Sequence, residues 1–272
     1  MGNISISVLM PVYDGDKFDY LKLALESIFA QTLLPNQLVI VVDGPVSQEV
    51  GDYINLLDQH YDFIDVVKCS KNLGLPMALN RGLHYVNSEW IARFDADDLM
   101  VPNRLELQKH FIERNEVDIL GGQIREFDET GNWRERLVPS EMHSILKMLP
   151  WRNPMNHVTV MYKTSLIRQY EYRNIPGYED YDLWYRLCKN PDIKFVNMKN
   201  TLVDVRGGSQ MYARRVGLRY AMGEFYFRWL SASFSHSIIK HWFAGVVRAV
   251  LALIPKRFKS LLYENFLRNR VN

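Results

Sequence analysis

Residues 91–100 read "IARFDADDLM", and the way this stretch ends decides the fold. The apolar run from Trp90 to Phe94 stops at three aspartates within four positions, Asp95, Asp97 and Asp98. Carboxylates this close repel one another, and a buried strand end offers little water to screen them. In open α/β sheets, however, the carboxyl ends of strands are where ligands bind. The chain before this point supplies such a sheet. Strands are expected at 4–12 ("ISISVLMPV"), 37–44 ("QLVIVVDG") and 63–69 ("FIDVVKC"), with the strand 90–94 as the fourth. Helical spacing lies between them, over 20–31 (Leu21, Leu25, Ile28, Phe29), 48–60 and 76–86. Strands apolar on both faces and alternating with helices predict a parallel sheet with covered faces. The order βαβαβαβ makes residues 1–115 an α/β nucleotide-binding half.

Beyond a helix over 102–115, which has Pro102 near its start, the pattern changes. A strand and a hairpin around Glu129–Asn132 are expected within 117–138. A helix (141–149), a strand (157–162) and a helix opening at "YEDYDLWYRLCK" (178–189) follow. With no repeat and no low-complexity linker, residues 1–210 are expected to form one domain, 116–210 being its acceptor and catalytic half. Residues 211–272 are expected to form a helical, basic amphipathic extension.

Apolar residues make up 47% and charged residues 24%, ordinary for a globular protein with a substantial core. Charge is unevenly placed: from Ile238 onward seven Lys or Arg face Glu264 alone, giving +6 there and −4 in the preceding 237 residues. Apolar residues in that tail recur at 238, 239, 242, 243, 246, 247, 250, 251 and 254, and Pro255 ends the stretch. The run from Trp242 to Ile254, interrupted by Arg248, is too short to span a bilayer. Such a helix either packs on the domain or lies in the headgroup plane of an anionic membrane. The charge and the interfacial pair Trp242 and Phe243 favour the membrane. Two cysteines without metal spacing and no basic-then-apolar N-terminal segment predict a cytoplasmic protein, peripheral on the inner face of the cytoplasmic membrane. No nucleic-acid partner is expected.

No G-x-G-x-x-G follows the first strand, which continues "PVYDGDKFD", and no P-loop is present. A diphosphate would then need a metal ion and basic side chains. Asp95 and Asp97 offer hard oxygens that suit Mg²⁺ or Mn²⁺, and an ion there would offset the repulsion within the cluster. The competing reading has Asp98 capping the next helix while the others lie in solvent. A second cluster, Glu179, Asp180 and Asp182, sits at a helix start where carboxylates complement the helix dipole. Asp180 also falls at i with Leu183, Trp184 and Leu187 at i+3, i+4 and i+7, which places it beside the apolar stripe. Partial burial there would raise its pKa and make it a better base.

Six segments occur in a recognisable order: "SVLMPVYDG", "QLVIVVDGP", "NLGLPMALNRGL", "IARFDADDLMVPNRLE", "NHVTVMYKTSLI" and "GYEDYDLWYRL". Together they resemble the family 2 glycosyltransferases, inverting enzymes of the GT-A fold, over nearly the whole chain. The resemblance implies a Rossmann-like, mainly parallel sheet flanked by helices. It implies that Pro11, Val12, Tyr13 and Asp43 hold the base and ribose of a nucleotide-sugar. Asp95 and Asp97 correspond to the family's D-x-D around Ala96, with Asp97 the direct metal ligand, and Asp180 to its catalytic base. The Q-x-x-R-W motif and membrane spans of processive synthases are missing, which favours transfer of single sugars. The stretch "LVDVRGGSQMYARRVG" resembles bacterial surface-polysaccharide transferases, making Arg206, Arg214 and Arg215 candidates for the leaving diphosphate, against a solvated basic loop. The expected donor is a UDP-sugar, and the acceptor a saccharide on a polyprenyl-diphosphate lipid.

Other residues have two readings each. His157 approaches the phosphates or the metal, or is a hydrogen-bonded core histidine. Asn80 contacts the nucleotide or shapes the helix beneath it. Arg93 contacts the sugar-nucleotide or is salt-bridged. The aromatic residues at 184, 185, 226 and 229 have packing spacing. Two rival functions remain: a nucleotidyltransferase that makes an activated sugar, and a non-catalytic sugar-nucleotide-binding module.

Overall fold

The computed structural model describes residues 4–128, 131–207 and 218–231, together with 239, 242, 243, 245–247 and 249. Four strands, β1 (Ile6–Val12), β2 (Gln37–Val42), β3 (Ile64–Lys68) and β4 (Trp90–Arg93), pair in parallel in the order β3-β2-β1-β4. Every residue of β2 is buried, which is why its sequence, QLVIVV, shows no alternation. The helices α1 (Phe18–Phe29), α2 (Gln48–His60) and α3 (Leu75–Leu83) connect these strands. They bury Leu21, Leu25, Ile28, Val50, Ile54 and Leu79.

After β4 the sheet continues with mixed directions. The two-residue β5 (Leu99–Met100) and α4 (Arg104–Arg114) come next, then β6 (Ile119–Phe127), β7 (Trp133–Arg136) and α5 (Met142–Met148). A 3-10 turn at His157–Thr159 precedes β8 (Met161–Lys163), followed by α6 (Thr164–Tyr170), α7 (Glu179–Leu187) and β9 (Phe195–Arg206). β8 joins β4 to β6 by antiparallel pairing on both sides, and β6 runs parallel to β9. The register of β6 against β9 shifts between Gly121 and Ile124, so this pairing accommodates an irregularity. β5 pairs antiparallel with β9 through Leu99↔Asp204 and Met100↔Val203. That short bridge ties the chain just beyond the aspartates to the end of β9.

The segment 157–162 was expected to be a strand throughout; its first half is a 3-10 turn. The hairpin is present, with Gly131 at φ +80° in its turn. Three elements have no counterpart in the sequence reading: β5, α6 and β9. The chain divides into two compact units, 1–145 with 154–206, and 146–153 with 207–272. In the second unit α8 (Leu218–Ser231) carries Tyr226 and Trp229, which are more than half exposed, contrary to the packing role their spacing implied. Trp184 and Tyr185, in the first unit, are buried as expected. Among the described residues no helix is long and apolar enough to cross a membrane.

Candidate functional site

The carboxyl ends of β1 and β2 form one wall. Beyond Val12 the chain turns tightly: the Tyr13 N–H donates to the Asp16 carboxylate at 2.9 Å, and the Asp16 N–H to the Tyr13 carbonyl at 3.0 Å. The Tyr13 ring lies over Gly15, where a Cβ would come within 2.3 Å of it. Any side chain at 15 would displace the ring. Asp43 is buried, and its two oxygens accept N–H groups from Leu73 (2.7 Å) and Gly74 (2.9 Å). This carboxylate therefore fixes the loop that leads into α3. Gly44, at φ +89°, passes so close to that loop that a Cβ would meet the Asn72 nitrogen at 2.5 Å. Asn80 is engaged in the framework: its amide donates to the Tyr172 carbonyl and accepts the Tyr172 N–H.

At the end of β4 the three aspartates have three different environments. Arg93 is buried and grips both oxygens of Asp95, at 2.6 and 2.5 Å. This charge-assisted fork explains how a carboxylate survives at the strand end. Asp98 is buried too, and one of its oxygens accepts the Arg206 backbone N–H at 2.8 Å. Burial, with the charges of Asp95 and Asp97 added, pushes its carboxyl well above the usual carboxylate range. Asp97 is partly exposed. Oxygens of all three come within 4.8 Å of one another. A set of hard carboxyl oxygens this close fits a small divalent ion such as Mg²⁺ or Mn²⁺. The helix-capping role for Asp98 is ruled out: α4 starts at Arg104 with Asn103 at its cap position, and Asp98 reaches β9 instead.

Arg104, absent from the sequence reading, supports this loop from below. It is fully buried, donates to the Arg93 carbonyl at 2.9 Å and to Gln108 at 3.0 Å. Burial and the neighbouring Arg93 lower its pKa to about 9, so it stays charged at neutral pH.

The second acidic cluster opens α7. Asp182 is buried and paired with Arg186 at 2.7 Å and Arg173 at 3.7 Å. Arg186 in turn donates to the carbonyls of Tyr170 and Glu171, so Asp182 helps to fasten the end of α6 to α7. Glu179 folds back to accept the Gly177 N–H at 2.6 Å. Burial and the adjacent Asp180 raise its pKa to about 7. Asp180 is partly exposed, and one of its oxygens accepts the Tyr181 N–H at 2.7 Å. Leu183, Trp184 and Leu187 are fully buried, but Glu179 and Asp182 are buried as well, so Asp180 is the least buried carboxylate of the three. Arg93 lies within electrostatic reach of both clusters: its charge lowers the pKa of Asp98 and of Glu179.

His157 does not join the metal group. Its Nε2 bonds the Tyr172 hydroxyl at 2.8 Å, and that hydroxyl lies 3.1 Å from the Tyr162 hydroxyl. Burial and Arg93 push its pKa well below the ordinary value, so the ring is neutral. Arg206 places its guanidinium between the rings of Tyr20 and Phe127 rather than in an open loop. Arg214 and Arg215 lie outside the described residues.

Comparison with known proteins bears on the fold and the family. The family model for glycosyl transferase family 2 matches residues 7–180. The amylovoran biosynthesis glycosyltransferase AmsE of Erwinia amylovora is 33% identical over 95% of this chain and 97% of its own length. An Escherichia coli UDP-Gal:alpha-D-GlcNAc-diphosphoundecaprenol beta-1,3-galactosyltransferase is 32% identical over 96% of each chain. Among solved structures, S. aureus TarS 1–349 in complex with UDP-GlcNAc superposes with a TM-score of 0.64 at 17% identity, covering 99% of this chain and 76% of that one. The mannosyltransferase PcManGT of Pyrobaculum calidifontis, in complex with GDP-Man and Mn²⁺, gives 0.61 at 13% identity, covering 97% of this chain and 81% of its own. The architecture is the GT-A fold that the sequence resemblance implied, with helices on both sides of a curled, mainly parallel sheet. The match of the family model over residues 7–180, with relatives about one-third identical over nearly the whole chain, places the chain in glycosyl transferase family 2.

Proposed function

We propose that the protein is a metal-dependent inverting glycosyltransferase that moves one sugar from a UDP-sugar to a saccharide carried on a polyprenyl-diphosphate lipid, in bacterial surface-polysaccharide synthesis. The observation that carries this reading is the pair of acidic clusters, at the end of β4 and at the start of α7, each with a partly exposed aspartate, Asp97 and Asp180. The relatives supply the substrate class: one is named for a UDP-galactose donor and a diphosphoundecaprenol acceptor.

In this reading Tyr13 and Asp43, with Pro11 and Val12, line the base and ribose, and residues 1–210 form the catalytic domain. Asp97, with Asp95 and Asp98 beside it, would hold Mn²⁺ or Mg²⁺, and the ion's charge would offset that of the departing nucleoside diphosphate. Asp180 accepts the acceptor hydroxyl's proton as that oxygen bonds to the anomeric carbon. The bond from that carbon to the diphosphate oxygen breaks on the opposite face, and UDP carries away the electron pair. An α-linked donor therefore gives a β-linked product. The basic apolar segment after residue 238 keeps the enzyme at the inner face of the membrane where such acceptors reside.

The test is an assay with UDP-galactose, UDP-glucose and UDP-N-acetylglucosamine on a synthetic GlcNAc-diphosphate lipid, with Mn²⁺ or EDTA. Acceptor-dependent UDP release and a β-linked disaccharide support the reading. Consumption of a nucleoside triphosphate with a sugar-1-phosphate, or no turnover with any donor, contradicts it. Truncation after Ser237 is expected to release the protein from anionic liposomes while UDP binding persists.

A further inference from the structure

We propose that Arg206 is a positioning residue for the acidic loop 95–98, acting on the metal site through Asp97 and Asp98 rather than by touching the donor diphosphate. The inference rests on the metal-dependent reading above. Arg206 is the last residue of β9, paired in register with Phe127 of β6. Its guanidinium carbon lies 3.9 Å from the centre of the Tyr20 ring and 4.7 Å from that of Phe127. A planar cation held against two rings, one from α1 and one from β6, has little freedom to follow a ligand.

Two hydrogen bonds run from Arg206 to the acidic loop. The side-chain Nε donates to the Asp97 carbonyl at 3.1 Å, and the backbone N–H donates to the Asp98 carboxylate at 2.8 Å. One residue thus fixes the main chain at Asp97 and the side chain at Asp98. Its charge stands beside the cluster while its bonds leave the Asp97 carboxylate to other partners.

The surroundings hold Arg206 in turn. Two residues earlier, Asp204 is gripped by both arms of Arg125 at 2.8 Å, and Asp204 also pairs in register with Leu99 just past the aspartates. Arg125 stacks over Trp133 at 4.2 Å, and Trp133 packs against Phe127 at 5.1 Å. This run of stacked cations and rings, Arg125, Trp133, Phe127 and Arg206, extends from the hairpin to the acidic loop. A lysine could keep the charge but not the planar stack with an Nε bond to a carbonyl.

The experiment compares wild type with Arg206→Met, Arg206→Lys and Phe127→Leu. Mn²⁺ binding in the presence of UDP is read from the resonance signal of free Mn²⁺, and UDP affinity without metal is read by calorimetry. Losing a group that orients metal ligands typically weakens metal affinity by roughly 10- to 100-fold, so Arg206→Met and Arg206→Lys should both lose about tenfold or more. Phe127→Leu, which keeps the cation but removes one ring, should lose less in the same direction. Metal-free UDP affinity should stay at the wild-type value in all three, which also reports that each is folded. If metal-free UDP binding falls in Arg206→Met and is kept in Arg206→Lys, the guanidinium is a diphosphate ligand and the proposal is wrong. Unchanged Mn²⁺ affinity in the Arg206 variants overturns it as well, provided Asp97→Ala does lose Mn²⁺. If Asp97→Ala keeps Mn²⁺ binding, the metal-dependent reading itself fails. Should Arg206→Met not fold, the lysine and leucine variants decide.

Discussion

The two acidic clusters invite comparison because each packs three carboxylates into four residues, and each distributes them in the same way. At the end of β4, Asp95 is gripped by an arginine, Asp98 is buried on a backbone N–H, and Asp97 is partly exposed. At the start of α7, Asp182 pairs with an arginine, Glu179 is buried on a backbone N–H, and Asp180 is partly exposed. The difference lies in what the rest of each cluster does to the exposed member. In the first, the oxygens of all three approach one another, which concentrates charge for a cation. In the second, Asp182 is drawn back to Arg186 and Arg173, leaving Glu179 and Asp180 as an interacting pair. Three carboxylates converging suit a metal ion; a pair of unequal burial suits proton transfer.

The sharpest way to break this comparison is Asp180→Asn. The substitution is nearly isosteric and should leave UDP affinity intact while lowering transfer by about 10²-fold or more, the scale expected for losing a general base. Transfer near the wild-type rate would move the base to Glu179.

Asp182→Asn tests the opposite assignment, that this member of the cluster is structural. It leaves Arg186, already committed to two carbonyls, without its buried carboxylate. Removing one partner of a buried pair typically costs about 3–5 kcal/mol. The expected result is a loss of about 3 kcal/mol in chemical denaturation, with per-molecule transfer largely kept under stabilising conditions. Loss of transfer without loss of stability would place Asp182 in the chemistry.

A smaller effect distinguishes Glu179. Its carboxyl is pushed from 4.5 up to about 7, so between those values the native state holds a proton that the unfolded chain releases. The stability this provides is complete below about pH 4.5 and is lost as pH rises through about 7. Glu179→Gln stays neutral and can still accept the Gly177 N–H, so this slope should disappear. Melting temperatures taken from pH 5 to pH 8 should fall more steeply for wild type than for the variant; parallel curves would contradict the shift.

The parallel half was legible in the sequence because its strands are buried on both faces and read as unbroken apolar runs, as in QLVIVV. The site's two exposed carboxylates were legible for a different reason, since an aspartate at a strand end or on an apolar helix face conflicts with its surroundings. What supports them was not legible. β9 escaped notice because Asn197, Lys199 and Asn200 interrupt its apolar pattern where the pairing with β6 shifts register. Arg206 meets Asp97 across 109 residues, a contact no local pattern encodes. Arg104 has the spacing of an ordinary helix residue, and only its complete burial reveals that it holds the strand end. His157 carried two readings in the sequence, and its Nε2 bonds the Tyr172 hydroxyl, a partner 15 residues away that no local pattern names.

The claim that the two clusters divide metal binding from proton transfer is tested most directly by calorimetry of UDP binding to wild type, Asp97→Ala and Asp180→Asn, each with and without Mn²⁺. Asp97→Ala should bind UDP equally weakly in both conditions, while wild type and Asp180→Asn both tighten when Mn²⁺ is added. Tightening by Mn²⁺ in Asp97→Ala, or its loss in Asp180→Asn, would contradict the division.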